Sequence, residues 1–376
     1  MSDPVDILRE LVAIPSISRI SNRPLIECAK RYLERARWAV DEYPYRDVAG
    51  VEKVNLIARS PRAEAAMSDP IDLAWFCHTD TVPFAESWTQ ATALHEEAGM
   101  LHGSGACDVK GSLACFLAAI SRVNVKEISS RMALVLTADE EVGCVGAQHL
   151  LAASKLRVRR AIISEPTSLA VGVAGKGYGL AQVWIRAREA HSAFPEQGIS
   201  AIRIAARMVD RMYGELPGAA SARNPLFTPP QTTVNVGRIE GGTAKNILAG
   251  ECKFTVEWRP VPEEDPAHIG RELQRLAQDC ERAWTGCRID VTVTRVEPGF
   301  AAAGGELARS LGQLLHARST GISFSSEASR VAAVADEVVV VGPGDMRTAH
   351  SERECVPQDE LERWTEAIGQ LLATSS

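Results

Sequence analysis

The chain has 376 residues, 45% of them hydrophobic and 24% charged, a composition that suits a globular protein too long for one small core and most simply built as two domains. A net charge of -7, the lack of any Lys/Arg run and the lack of an apolar stretch near the ~20 residues that span a bilayer argue against nucleic-acid or membrane binding as the main activity, and point to a small polar molecule as partner. The acidic opening Met1-Ser-Asp-Pro-Val-Asp6 is unlike a signal peptide, so the cytoplasm is expected, and nine scattered cysteines with no Cys-x-x-Cys pair read as reduced, packing thiols.

Asp3 followed by Pro4 is a helix start, with a capping side chain and then a residue whose missing N–H costs nothing in the first turn, and a helix to about Val12 follows. A second helix is predicted from Arg23 to Trp38, with Ile26, Ala29, Leu33 and Ala36 on one face. Residues Arg59 to Pro70 read as a polar loop. Short apolar runs at Ile71–Cys77, Met132–Ala138, Ala161–Ser164 and Val338–Val341 read as buried parallel strands. Gly111 to Val123 turns helical directly after the Gly-rich segment that begins at Gly103. This alternation predicts an α/β fold with a doubly wound, mostly parallel sheet.

The pattern changes near Gly175. Strands are predicted at Tyr178–Arg186, Thr233–Ile239, Cys252–Arg259 and Asp290–Val296, with helices at Ile199–Met212 and Pro266–Trp284. This is an inserted α+β block with antiparallel strands, covering residues 177–297, within a catalytic domain made of residues 1–176 and 298–376. The α/β pattern resumes with a helix at Glu306–Ala317 and ends on a helix whose Leu361, Trp364, Ile368 and Leu371 share a face.

Acids and histidines follow several of the buried strands: His78-Thr-Asp80, Glu140-Glu141 and Glu165, joined by Asp108 in the Gly-rich turn and His350 after the Gly342-Pro-Gly-Asp345 turn. Ligands of open α/β sheets bind beyond the carboxyl ends of the strands, which is where these side chains fall. Each motif alone could be an ordinary polar turn; together they carry the donors of a two-zinc hydrolase, imidazole nitrogen and carboxylate oxygen. Asp80, two residues after His78, can hold its imidazole in one tautomer. Two adjacent acids at a buried strand end repel each other unless a cation or a proton relieves them, so one can bind metal while its neighbour takes a proton from water. No Gly-Lys-Ser/Thr loop and no Gly-x-Ser-x-Gly elbow is present, which sets aside nucleotide binding and a serine nucleophile. His95, His102, His149, His268 and His316 lack comparable surroundings and are assigned to surface or packing.

Phe76-Cys-His-Thr-Asp-Thr-Val-Pro83, Gly103-Ser-Gly-Ala-Cys-Asp-Val-Lys-Gly111, Thr137-Ala-Asp-Glu-Glu-Val-Gly143, Ser164-Glu-Pro-Thr167 and Ala349-His350 stand in an order and spacing that resembles the di-zinc family of acetylornithine deacetylase, succinyl-diaminopimelate desuccinylase, aminoacylase and carboxypeptidase G. The resemblance spans nearly the whole chain. It implies that Asp108 bridges two zinc ions, with cobalt or manganese as possible substitutes, that His78 and Glu165 complete one site, and that Glu141 and His350 complete the other. Glu140 becomes the general base, with Asp80 beside it in the catalytic set, and the peptide after Asp108 is expected to be cis.

The same resemblance makes the inserted block a lid that also forms a homodimer. His191, in Glu189-Ala-His191-Ser, is implied as an oxyanion-stabilising residue that reaches the partner subunit's site. Asn246, in Gly241-Gly-Thr-Ala-Lys-Asn246, and Arg259, in Trp258-Arg-Pro260, are implied to grip the substrate's carboxylate. Ser325-Ser-Glu327-Ala-Ser resembles the Thr-Glu-Ala segment of acetylornithine deacetylases, which places Glu327 at the substrate and favours an N-acetyl amino acid. An N-succinyl amino acid, a dipeptide or a non-catalytic metal-binding relative are the other readings; an intact Glu140 speaks against the last.

Overall fold

The computed structural model describes residues 2–64, 69–128, 130–219, 222–302 and 305–373. It divides into two compact units, Met1–Val173 with Ala302–Thr320 and Ser326–Ser376, and Ala174–Ala301 with Gly321–Ser325. The five residues 321–325 fall outside the first unit because Gly321 donates its N–H to the Leu226 carbonyl in the second.

The centre of the first unit is a sheet in the order Ala39–Arg46, Glu52–Arg59, Met132–Thr137, Ile71–His78, Val158–Ile163, Ala335–Val340 and Val171–Gly175. Met132–Thr137, Ile71–His78, Val158–Ile163 and Ala335–Val340 run parallel, and the strands outside them are antiparallel. The fold is therefore α/β with a mostly parallel centre. The parallel strands are apolar over their carboxyl-terminal halves, where helices cover both faces, and Met132–Thr137 is buried at all six positions. Helix Lys110–Arg122 is buried from Lys110 to Ile120, and helices Pro4–Val12 and Gln358–Ala373 pack against it. Asp3 caps the first of these by accepting a hydrogen bond from the Val5 N–H at 2.8 Å.

The parallel strands were legible, and their neighbours were not. Ala39–Arg46 carries Asp41, Glu42 and Pro44 on a sheet edge, where no clean apolar alternation is required. The helix predicted to reach Trp38 stops at Arg35, since Arg37 takes a left-handed φ of 60° that no helix continues. Arg59 ends a strand and Pro61–Glu64 forms one helical turn where a loop was expected; residues 65–68 of that loop lie outside the described residues.

The second unit holds a four-stranded antiparallel sheet in the order Thr233–Gly241, Glu251–Arg259, Tyr178–Arg186 and Arg288–Glu297. Its strands alternate, with Ala181, Val183 and Ile185 buried, and Cys252, Phe254, Val256 and Trp258 buried on the neighbour. Helices Ala201–Ala219 and His268–Ala283 close over that face with Ile204, Met208, Leu273 and Leu276.

Candidate metal centre

His78 is the last residue of its strand, and its imidazole is 3% exposed. Its Nδ1 lies 3.0 Å from the main-chain carbonyl of Asp80, which fixes Nδ1–H as the donor and frees Nε2 as a ligand atom. The Asp80 carboxylate itself is 3.8 Å from that nitrogen. It serves the turn after the neighbouring strand Met132–Thr137 instead, accepting the N–H of Glu140 at 3.0 Å and of Glu141 at 3.3 Å, with the Ser18 hydroxyl donating at 2.8 Å. Asp80 thus ties two motifs together, with its backbone on the histidine and its side chain on the paired acids.

The five residues read from sequence as ligands converge. His78, Asp108 and Glu165 form one group and Asp108, Glu141 and His350 a second; in each, one ligand atom per residue lies within 4.8 Å of the others. Asp108 belongs to both. Its Oδ1 is 3.0 Å from His78 Nε2 and its Oδ2 is 3.0 Å from His350 Nε2, so the two oxygens of one carboxylate face different histidines. His350 Nε2 is also 3.1 Å from Glu141 Oε1. The Asp108–Val109 peptide is cis, as the resemblance implied. Glu354, which sequence reasoning missed, accepts the N–H groups of Cys107 and Asp108 at 3.2 Å each and so holds the peptides leading to that carboxylate; its only sequence signal is an acid four residues after His350.

The electrostatics suit divalent cations. Burial pushes the Glu165 carboxyl well above its usual range, helped by the Asp108 charge, and raises Glu141 in the same way. Burial would also raise Asp108, yet hydrogen bonds from His350 and His78 outweigh it and hold that group low. Hydrogen bonds donated to Asp108 and Glu141 lift His350 to about 10. Three carboxylates and two imidazoles gathered from buried strand ends out to the exposed His350 need positive charge between them, and nitrogen and oxygen donors at this spacing fit zinc or a similar ion.

Glu140 lies beside this cluster. Burial, then the nearby Glu141, Glu327 and Asp80 charges, push its carboxyl up to about 8, while His78 acts in the other direction. The Cys144 thiol lies 3.2 Å from its Oε1 and donates to it. Glu327 is 1% exposed, and burial raises its carboxyl to about 7; its neighbours here are Thr137, His78 and Asp80, on the strand ends that carry the centre.

The remaining predicted residues belong to the second unit. His191 pairs with Ile247 across a two-residue ladder, and Ser192 N–H donates to the Asn246 carbonyl at 2.9 Å, so His191 and Asn246 are neighbours; both are exposed. Arg259 is apart from them on its strand. Its guanidinium stacks over Tyr178 at 4.5 Å from the ring centroid, its Nε is 3.6 Å from Glu257, and it makes no hydrogen bond among the described residues.

Comparison with known proteins gives this arrangement its setting. Residues 74–374 match the model of peptidase family M20/M25/M40. The acetylornithine deacetylase of Myxococcus xanthus is 40% identical over 99% of this chain and 98% of its own. Among solved structures, the aminopeptidase PepT of Bacillus cereus superposes with a TM-score of 0.77 at 22% identity, covering 99% of this chain and 98% of its own. A dinuclear metal-binding peptidase of family M20 from Bacillus subtilis gives 0.71 at 14% identity over 98% and 96%. With a shared carboxylate between two ligand groups, and this likeness along its whole length, the chain belongs to peptidase family M20/M25/M40 and is a metal-dependent hydrolase.

Proposed function

We propose that the protein is a two-zinc amidohydrolase that removes the acetyl group from an N-acetyl amino acid such as N2-acetylornithine. The observation that carries this reading is Asp108 standing between two ligand groups with Glu140 next to them. The substrate class is supported by the full-length similarity to acetylornithine deacetylase and by the Ser-Glu-Ala segment at Glu327. In this reading His78, Asp108 and Glu165 hold one ion, and Asp108, Glu141 and His350 the other. Bound there, two zinc ions supply Lewis-acid polarisation of the acyl carbonyl and acidify the attacking water; cobalt or manganese offers the same chemistry.

The residues do the rest. Glu140 takes a proton from the water on Oε2, because Oε1 is engaged by Cys144, holds it while the amide is attacked, and hands it to the leaving nitrogen. Asp80 keeps the Glu140-Glu141 peptides fixed while that proton moves. Glu327 faces the substrate. Arg259, its fork already flattened against Tyr178, receives the α-carboxylate bidentately together with Asn246, and His191 donates to the oxyanion. The second unit acts as lid and as the homodimer surface, with His191 serving the partner subunit, and the protein works in the cytoplasm.

A panel of N-acetyl, N-succinyl and dipeptide substrates, assayed with the zinc-loaded protein and with its Glu140→Gln variant, tests the reading. The parent should hydrolyse N-acetyl amino acids in preference to the others, and Glu140→Gln should lower turnover about a hundredfold or more at equal metal content. A preference for succinyl or peptide substrates would reassign the substrate; equal turnover by the variant would remove Glu140 as the base.

A further inference from the structure

Three buried polar groups, Lys53, Asn55 and Asp139, and the half-buried Tyr45 hold the turn that carries Glu140 and Glu141. Lys53 and Asn55 stand two residues apart on strand Glu52–Arg59, hence on one face, and are 1% and 0% exposed. Lys53 Nζ is 2.8 Å from Asp139 Oδ1 and donates to the carbonyls of Ser18 at 2.5 Å and Ile20 at 2.9 Å. The Tyr45 hydroxyl donates to the other Asp139 oxygen at 2.7 Å, and its ring stacks on His149 at 4.4 Å. Asn55 spans the base of the turn: its Oδ1 accepts the Ala138 N–H at 3.0 Å and its Nδ2 donates to the Gly146 carbonyl at 3.0 Å.

The turn needs such restraint. Asp139 has a φ of 54° and Cys144 a φ of 53°, both left-handed, and a side chain on Gly146 would meet the Ala138 carbonyl at 2.1 Å. A buried ion pair is a poor device for stability, since a well-packed apolar pair of similar volume does as well or better. What Lys53 and Asp139 add is direction. They hold Asp139 in the conformation that swings the chain out of the Met132–Thr137 strand and faces the next two acids toward Asp108 and His78. The same lysine grips Ser18, whose hydroxyl bonds to Asp80, which caps the N–H groups of those two acids. One cation therefore reaches the turn by two routes.

We propose that Lys53, acting with Asn55 and through Asp139 and Tyr45, is a positioning residue that sets the reach of the Glu140 carboxylate. It contributes to turnover without touching metal or substrate. The inference rests on Glu140 being the base, as proposed above.

The test uses the metal-loaded enzyme and a double-mutant cycle. Lys53→Met with Asp139→Asn removes both buried charges, keeps a residue that tolerates the left-handed region and leaves an acceptor for Tyr45; Tyr45→Phe is the milder probe should the double variant fail to fold. The double variant should lose about tenfold or more in kcat, and Tyr45→Phe about threefold, with KM, metal stoichiometry and Tm close to the parent. In a Glu140→Gln background the same changes should have almost no further effect, because a group that acts through Glu140 has nothing left to position. Parent-like kcat in Tyr45→Phe, or losses that multiply in full on the Glu140→Gln background, would overturn the proposal. Unchanged turnover in Glu140→Gln alone would sink the reading of the base instead, so the two failures are distinguishable.

Discussion

The metal centre and the His191–Asn246–Arg259 region place functional side chains in opposite ways. At the centre, His78, Asp80, Asp108 and Glu165 are each 4% exposed or less, and they sit at or just beyond buried strand ends or, for Asp108, at the start of a buried helix. In the second unit, His191 and Asn246 are exposed at a two-residue ladder, and the half-buried Arg259 stacks on a ring with Glu257 3.6 Å away. Buried charges must have their partners already in place, so the His78, Asp108 and Glu165 group is built before any ligand arrives, while Glu141 is half-buried and His350 exposed at the open side of the centre. Exposed groups meet no such demand and can take their partner from the ligand. On the proposed reading, rigidity falls at the buried ligand group and freedom at the residues assigned to the substrate.

The sharpest way to break this contrast is at Asp108. Asp108→Ala should abolish both metals and all activity, whereas His350→Ala should empty mainly one site, since only Asp108 faces both histidines. Metal stoichiometry by mass spectrometry decides it: one ion retained by Asp108→Ala would mean that the carboxylate is not the bridge. A smaller effect is expected in the second unit. Arg259→Lys should weaken substrates with a free α-carboxylate by about tenfold and leave their amide analogues nearly unchanged, because a point charge cannot copy a planar fork. Equal losses on both would detach Arg259 from the carboxylate.

The subtlest prediction concerns protons. Hydrogen bonds to Asp108 and Glu141 lift His350 to about 10, so without metal it holds a proton at neutral pH that a cation must displace, and burial shifts Glu165 and Glu141 upward in the direction that adds to that number. Fewer remain to be displaced as pH rises, so zinc affinity should increase with pH and each binding event should release protons. Calorimetry of zinc binding in two buffers of different ionisation enthalpy measures the number released. Zero release near pH 7 would mean that the ligands are already deprotonated.

The same contrast explains what could be read from the sequence. His78, Glu140, Glu141 and Glu165 each follow closely on a short, mostly apolar run, because the part of a parallel strand that is covered on both faces favours apolar residues, and such runs announce their ends. The supports were invisible for the converse reason. Lys53 and Asn55 are polar residues inside a buried strand, where their presence blurs the apolar pattern that would have marked it, and Tyr45 lies on an edge strand interrupted by Pro44. Asp80 was read by its side chain, while the bond to His78 comes from its main chain, a choice that spacing cannot express. Glycines and a left-handed aspartate shape the turn before Val145–Ser154, so that helix begins without the usual capping signal.

Helix Lys110–Arg122 begins two residues after Asp108 and is enclosed by protein around its whole circumference from Lys110 to Ile120. Amides in such a segment exchange with solvent only when the domain opens as a whole, whereas those of exposed ladders and loops exchange through local fluctuations. The carboxylate between the two ligand groups is therefore tethered to a segment whose amides should exchange only when the domain opens as a whole.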